Sequence, residues 1–172
     1  MLQTTRTTMR PIIEDDWPFY LALTTNPAVM RFVGDIQTRE DIRQRFESSL
    51  PAWSPEADHW LMLAIINTET DAIIGVTGGQ ARKLAGEFTV EVGFLIDPSA
   101  SGYGYASESL FALRKWLFSH EAITGLTATV TEGNEASVRV LEKCGFYQTE
   151  RVADNYQIAG QQYADLIFTC KS

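Results

Sequence analysis

The sequence predicts an α/β domain with a central, mixed and mostly antiparallel sheet. Three observations carry this. Strand-like apolar segments crowd the middle of the chain, two segments repeat apolar residues at helical spacing, and the strands around residues 60–76, joined by a short turn, read as an antiparallel hairpin.

The elements follow in order. Met1–Arg6 alternates like a strand, and Met9–Ile13 continues an edge-like strand interrupted by Pro11. Asp15 and Asp16 stand before Trp17-Pro18, where acids favour the positive end of a helix and proline suits its first turn. Trp17, Tyr20, Leu21 and Leu23 supply that helix with an apolar side. Thr38 followed by Asp41 is a capping-box variant that starts a second helix, ending near Leu50 before Pro51. Both helices are expected on one side of the sheet. Trp60–Ile66, the turn Asn67–Asp71 and Ala72–Val76 form an antiparallel hairpin. Thr89–Ile96 is the next strand, with Val90, Val92, Phe94 and Ile96 on one face and Glu91, Gly93 and Leu95 on the other. Ala106, Leu110, Leu113 and Leu117 mark an amphipathic helix. A strand at Leu126–Val130 leads to a short helix with Ser137, Val140, Leu141 and Cys144 on one face and Gly145 past its end. Strands near Phe146–Val152 and Tyr163–Cys170 close the chain. The count is about seven strands and four helices in a single domain over residues 1–172.

Composition excludes several classes. With 45% hydrophobic and 21% charged residues the chain is globular, and no apolar run reaches the roughly 20 residues that span a bilayer. The N-terminus lacks the apolar middle of a signal peptide, so a cytoplasmic protein with no membrane partner is expected. A net charge of -8 argues against nucleic-acid binding, which needs clustered Lys and Arg, and would suit a basic partner. Cys144 and Cys170 read as small buried hydrophobes. His59 and His120 have no second ligand at metal spacing, so no metal is expected.

The densest chemical signal is Ser101-Gly102-Tyr103-Gly104-Tyr105-Ala106, between the 89–96 strand and the following helix. Two glycines at a strand-loop-helix junction expose backbone N–H groups at the positive end of a helix, a site suited to a diphosphate. No Lys or Arg lies between Pro98 and Leu113, so such binding rests on main-chain donors. A dinucleotide loop wants a third glycine where Ser107 stands, and a P-loop wants Gly-Lys-Ser/Thr. A tight turn feeding a packed helix remains the plain alternative.

The stretch Val90–Pro98 followed by Gly102–Glu108 resembles the acetyl-CoA motif of the GNAT superfamily of N-acetyltransferases. That signature, Gln/Arg-x-x-Gly-x-Gly/Ala, maps onto Ser101, Gly104 and Ala106, with Ser101 replacing the usual long side chain. Asn134-Glu-Ala-Ser137 through Gly145-Phe146 is a second match; Thr5–Pro11, Asn26–Phe32 and Gly160–Asp165 add others. The likeness is greatest to the Rim-type ribosomal-protein N-terminal acetyltransferases. It implies the GNAT fold and acetyl-CoA-dependent transfer to a primary amine, with a protein N-terminal α-amine favoured and a small-molecule amine as alternative. Direct attack within a ternary complex is implied, by a monomer or homodimer. A non-catalytic acyl-CoA-binding module is the competing reading.

The resemblance also assigns residues. The strand splays at a bulge, for which Gly93 is suited, and backbone groups of Phe94, Leu95 and Ile96 pair with pantetheine. Ser101, Gly102, Tyr103, Gly104, Tyr105 and Ala106 hold the pyrophosphate, joined by Asn134 and Ser137. Glu91 is the leading base, directly or through water, and Asp165 the second candidate. Relatives place a tyrosine acid where Leu141 stands, leaving Ser137 as the hydroxyl able to protonate the leaving thiolate. Asn134 is also a good helix cap, and Arg139 and Lys143 read as solvated.

Overall fold

The computed structural model describes residues 1–84 and 86–171. Eight strands form one sheet: β1 (Leu2–Gln3), β2 (Thr7–Pro11), β3 (Leu61–Asn67), β4 (Ile73–Leu84), β5 (Glu87–Ile96), β6 (Ile123–Thr131), β7 (Tyr147–Ile158) and β8 (Gln161–Lys171). Their spatial order is β1-β2-β3-β4-β5-β6-β8-β7. Only β5 and β6 run parallel, because the intervening helix α4 (Tyr105–Phe118) carries the chain back over the sheet. The remaining helices are α1 (Trp17–Thr24), α2 (Pro27–Met30), α3 (Arg39–Ser48) and α5 (Glu135–Lys143).

Two apolar layers sandwich the sheet. On one face Met9, Leu63, Ile65, Val90, Val92 and Leu126 pack beneath Leu110, Leu113 and Leu117 of α4 and Leu141 of α5. On the other, Met62, Ala64 and Val76 pack against Tyr20 and Leu23 of α1 and Ile42 and Phe46 of α3. The unbroken apolar run of β3 follows directly: a central strand covered on both sides has no polar face. Asp16 fastens α1 to the sheet. Its carboxylate, almost wholly buried, accepts from Arg10 Nη1 and Nη2 at 2.7 and 2.8 Å and from the Ile13 N–H at 2.9 Å. Burial pushes this carboxyl's pKa up, but the Arg10 and Ile13 donors outweigh it and hold the pKa below the ordinary value.

Thr38 caps α3, its Oγ1 accepting from the Asp41 N–H at 3.2 Å, but the Asp41 carboxylate accepts from the Thr38 hydroxyl rather than from its backbone N–H, so only half of the expected capping box forms. Pro11 lies on an open edge as expected: β1 flanks β2 only at Thr8 and Met9, so the proline, which has no N–H to donate, pairs with Leu63 alone and ends the strand there. Two points depart from the sequence reading. The helix α2 was not anticipated, although Asn26-Pro27 is a start signal and Asn26 Oδ1 accepts from the Ala28 N–H at 2.9 Å. Gly93 makes no bulge against β4, since the β4–β5 register runs unbroken through Gly78↔Gly93. A Cβ at Gly93 would meet Trp60 at 3.5 Å, an ordinary contact.

Candidate active site

The site begins where β5 and β6 part. Their parallel ladder ends at Glu91↔Thr127, while β5 continues to Ile96 and β6 to Thr131, held on their outer sides by β4 and β8. The inner edge of β5 from Val92 to Ile96 therefore presents main-chain groups to an open fork rather than to a strand. Unpaired strand edges accept an extended ligand as an added strand.

Below the fork, the glycine loop turns into α4. Gly102 and Gly104 hold φ of 85° and 86°, left-handed values that a side chain resists. A Cβ on Gly102 would touch nothing within 4 Å, so the space above it is open to a ligand. No side chain caps α4, and its first N–H groups point toward this loop. The loop is braced from the N-terminus: Arg6 donates to the Tyr103 carbonyl at 3.0 Å and to Glu108 Oε2 at 2.8 Å, and its guanidinium lies 4.6 Å from the Tyr105 ring centre. Burial raises the Glu108 pKa, but the Thr4 hydroxyl together with the Arg6 N–H and guanidinium more than offset this and keep it below normal. Arg6 thus neutralises the one acid in the first turn of α4.

Two cavities meet at the fork. The smaller, about 430 Å³, is lined by Ile96, Ser101, Gly102, Gly104, Tyr105 and Ala106. The larger, about 850 Å³, opens on the α1/α3 side of the sheet. Phe32, Val33, Phe94, Leu95, Asn134 and Ser137 line both. Asn134 caps α5, its Oδ1 accepting from the Ser137 N–H at 3.3 Å, and this fixes Ser137 at the junction. The Ser137 hydroxyl has no hydrogen-bond partner among the described residues. Leu141 also lines the larger cavity and is fully buried, an apolar wall that offers no proton.

All the anticipated cofactor residues except Tyr103 line a cavity; its side chain is 66% exposed, and only its carbonyl takes part in the loop, as the acceptor from Arg6. Arg139 and Lys143 are exposed as expected, yet also border the smaller cavity. Glu91 is absent from the lining: its carboxylate accepts from Thr129 Oγ1 at 3.2 Å and Arg82 Nη2 at 3.3 Å. Thr129 itself lines the larger cavity, as does Asp165, which is 8% exposed and accepts from Asn155 Nδ2 at 2.8 Å. Cys144 and Cys170 are buried and unpaired. Burial pushes the Cys144 thiol up to about 11, with Arg114 offsetting only part, so it stays protonated and inert.

Residues 6–147 match the family model of the acetyltransferase (GNAT) domain. The chain belongs to the GNAT acetyltransferase family. It is 30% identical over 158 residues to the uncharacterized N-acetyltransferase YoaA of Bacillus subtilis (strain 168), covering 91% of this chain and 87% of that protein. Its GNAT fold is shared with spermidine N-acetyltransferase from Vibrio cholerae in complex with CoA and spermine (TM-score 0.83, 15% identity, 97% and 96% of the two chains). It is equally shared with the Salmonella typhimurium acetyl transferase that modifies the N-terminal serine of ribosomal protein L7/L12 (TM-score 0.82, 18% identity, 98% and 96%).

What sequence reasoning missed in this GNAT domain is the wall of the larger cavity. Tyr20, Arg45, Trp60, Gln80 and Tyr156 come from α1, α3, the approach to β3, β4 and β7. They share no motif or spacing, so only the packing of α1 and α3 on the sheet brings them together.

Proposed function

We propose that this GNAT enzyme moves an acetyl group from acetyl-CoA to a primary amine, with a protein N-terminal α-amine as the favoured acceptor, by direct attack in a ternary complex. The observation that carries this is the junction at the fork, where an open loop-side cavity and a larger one share Phe94, Asn134 and Ser137. Acetyl-CoA fits the smaller cavity, with diphosphate on the Gly102–Ala106 amides and pantetheine along Phe94–Ile96. The amine enters from the larger cavity.

The amine lone pair forms the new C–N bond at the thioester carbonyl, whose oxygen accepts from a β5 amide, and the C–S bond breaks. The released thiolate takes a proton relayed by the Ser137 hydroxyl and water, the serine receiving one from solvent as it gives one up. The ammonium proton goes to Asp165, the carboxylate on the cavity wall. A second reading routes it through Thr129 to Glu91, favoured by their hydrogen bond. An α-amine with a pKa near ~8 is already partly neutral, so one weak carboxylate suffices, whereas a lysine near ~10.4 would need far more help. The resemblance to the Rim-type enzymes supports a protein N-terminus, and the equal likeness to a spermidine enzyme keeps a small amine as the alternative. Thiol release from acetyl-CoA with N-terminal peptides and small amines tests the reading. Stabilisation by CoA without turnover of any amine would leave a binding module, and stabilisation by NAD but not CoA would overturn the site.

A further inference from the structure

The larger cavity contains a second polar centre, away from the fork. Tyr20 is 4% exposed with its ring buried 5.3 Å from that of Phe46, yet it lines the cavity, and its hydroxyl has no hydrogen-bond partner among the described residues. Arg45 lines the same cavity from the last turn of α3. The other arginines of α3 are occupied: Arg43 pairs with Glu14 and Glu47, and Arg39 lies 6.0 Å from the Trp17 ring centre. Arg45 has neither a carboxylate nor a ring partner among the described residues, in a chain with 22 acids to 14 bases. Burial raises the Tyr20 pKa and the charge of Arg45 lowers it, so the two groups address one region and the phenol remains a donor at neutral pH. The remaining fixed charges on the cavity wall are the carboxylates of Asp58 and Asp165, with His59 the one other titratable base.

A wall carrying both signs suits an acceptor carrying both signs. We infer that Tyr20 and Arg45 form a carboxylate-binding subsite, so that the acceptor is an amine that also bears a carboxylate. The amine sits at Asp165 and Ser137 and the carboxylate on the Arg45 fork and the Tyr20 hydroxyl. The inference rests on the proposed transfer reaction and names its substrate class. Two sources share the chemistry: a free amino acid, or a protein N-terminus followed by an acidic side chain. Arginine presents two parallel donors to a carboxylate, which a carboxamide does not match in charge.

The test uses the full chain saturated with CoA and titrated calorimetrically, and in parallel the chain with acetyl-CoA followed by thiol release. The probes are L-amino acids against their carboxamides, tetrapeptide amides with Asp against Asn at the second position, and spermidine. Carboxylate probes are expected to exceed their amide partners by about tenfold or more in affinity and in kcat/KM. The arm that shows the preference identifies the source. Arg45→Gln should reduce the ratio toward one, Arg45→Lys should restore part of it, and Tyr20→Phe should lower it by several-fold while keeping the buried ring. Equal use of acids and amides, a preference for spermidine, or a preference that survives Arg45→Gln would overturn the subsite. If carboxylate probes bind in an Arg45-dependent way but no amine is acetylated, the subsite stands and the transfer reaction falls.

Discussion

The two cavities that meet at the β5/β6 fork are built by opposite means. One wall of the loop-side cavity is main chain from a single stretch, the open edge of β5, two left-handed glycines and the first amides of α4, and residues of α2, the loop after it and α5 close the other side. The acceptor-side cavity is made of side chains from at least five elements, among them Tyr20, Arg45, Trp60, Tyr156 and Asp165. Backbone groups bind the same ligand whatever side chains surround them, so on the proposed reading the first cavity should tolerate Ser101 in place of a longer residue. A side-chain wall changes its ligand with each substitution, and on the proposed reading the choice of acceptor is made there.

That contrast makes ordered predictions. The largest effect is expected at Asp165: Asp165→Asn should lower kcat by about 10²–10³-fold while leaving the affinity for CoA intact. Glu91→Gln, measured alongside, should cost less, and the reverse order would move the proton to the Glu91 route. Next is the scaffold of the acceptor side. Asp16→Asn leaves Arg10 unpaired beside a buried amide and should destabilise the fold by about 3 kcal/mol in urea unfolding at pH 7. The sign of the pH dependence follows from the lowered pKa. The Asp16 contribution is fully present above the ordinary carboxylate range, near ~3.9, and is lost as pH falls through the depressed folded value. The variant should therefore lose less stability on acidification than the parent.

On the loop side, Gly104→Ala places a Cβ at φ 86°, a strain of about 1–2 kcal/mol, and should weaken CoA binding by roughly tenfold. An equal rise in the acceptor KM would show that the two cavities are not separable in this way. The smallest effect is expected at the mouth of the acceptor cavity, where the Tyr156 hydroxyl donates to the Val33 carbonyl at 3.0 Å and the Ala159 N–H to Asp35 Oδ1 at 2.8 Å. These bonds tie the β7–β8 hairpin to the loop after α2. Tyr156→Phe removes one bond worth about 1 kcal/mol and should raise the acceptor KM several-fold with kcat little changed.

Much of the fold was legible because its signals are local. The heptad-like spacing of Leu110, Leu113 and Leu117, the Thr38 cap and the alternation through Val90 and Val92 all recur in the structure. The turn at 67–71 was found as well, while β4 ran eight residues beyond its expected end at Val76. That extension is set by pairing with β5, which no local propensity encodes. Gly93 shows the limit from the other side. A glycine in a strand suggested a bulge there, but β5 runs on in register with β4 and β6 in register with β8, and the fork is the place where the β5–β6 ladder ends at Glu91↔Thr127.

The sequence by itself determined the family, the order of strands and helices apart from α2, and the two-glycine turn that enters α4, since each of these is written in contiguous residues and realised through the backbone. Only the tertiary structure decided where Glu91 spends its carboxylate, that Asp165 reaches the cavity, and that Tyr20 and Arg45 line that same cavity with no side-chain partner among the described residues. Those relations join residues up to 145 positions apart, from Tyr20 to Asp165. The packing of α1 and α3 on one face of the sheet, driven by burial of Phe46, Leu23 and Met62, brings Tyr20 and Arg45 to the cavity that Asp165 also lines.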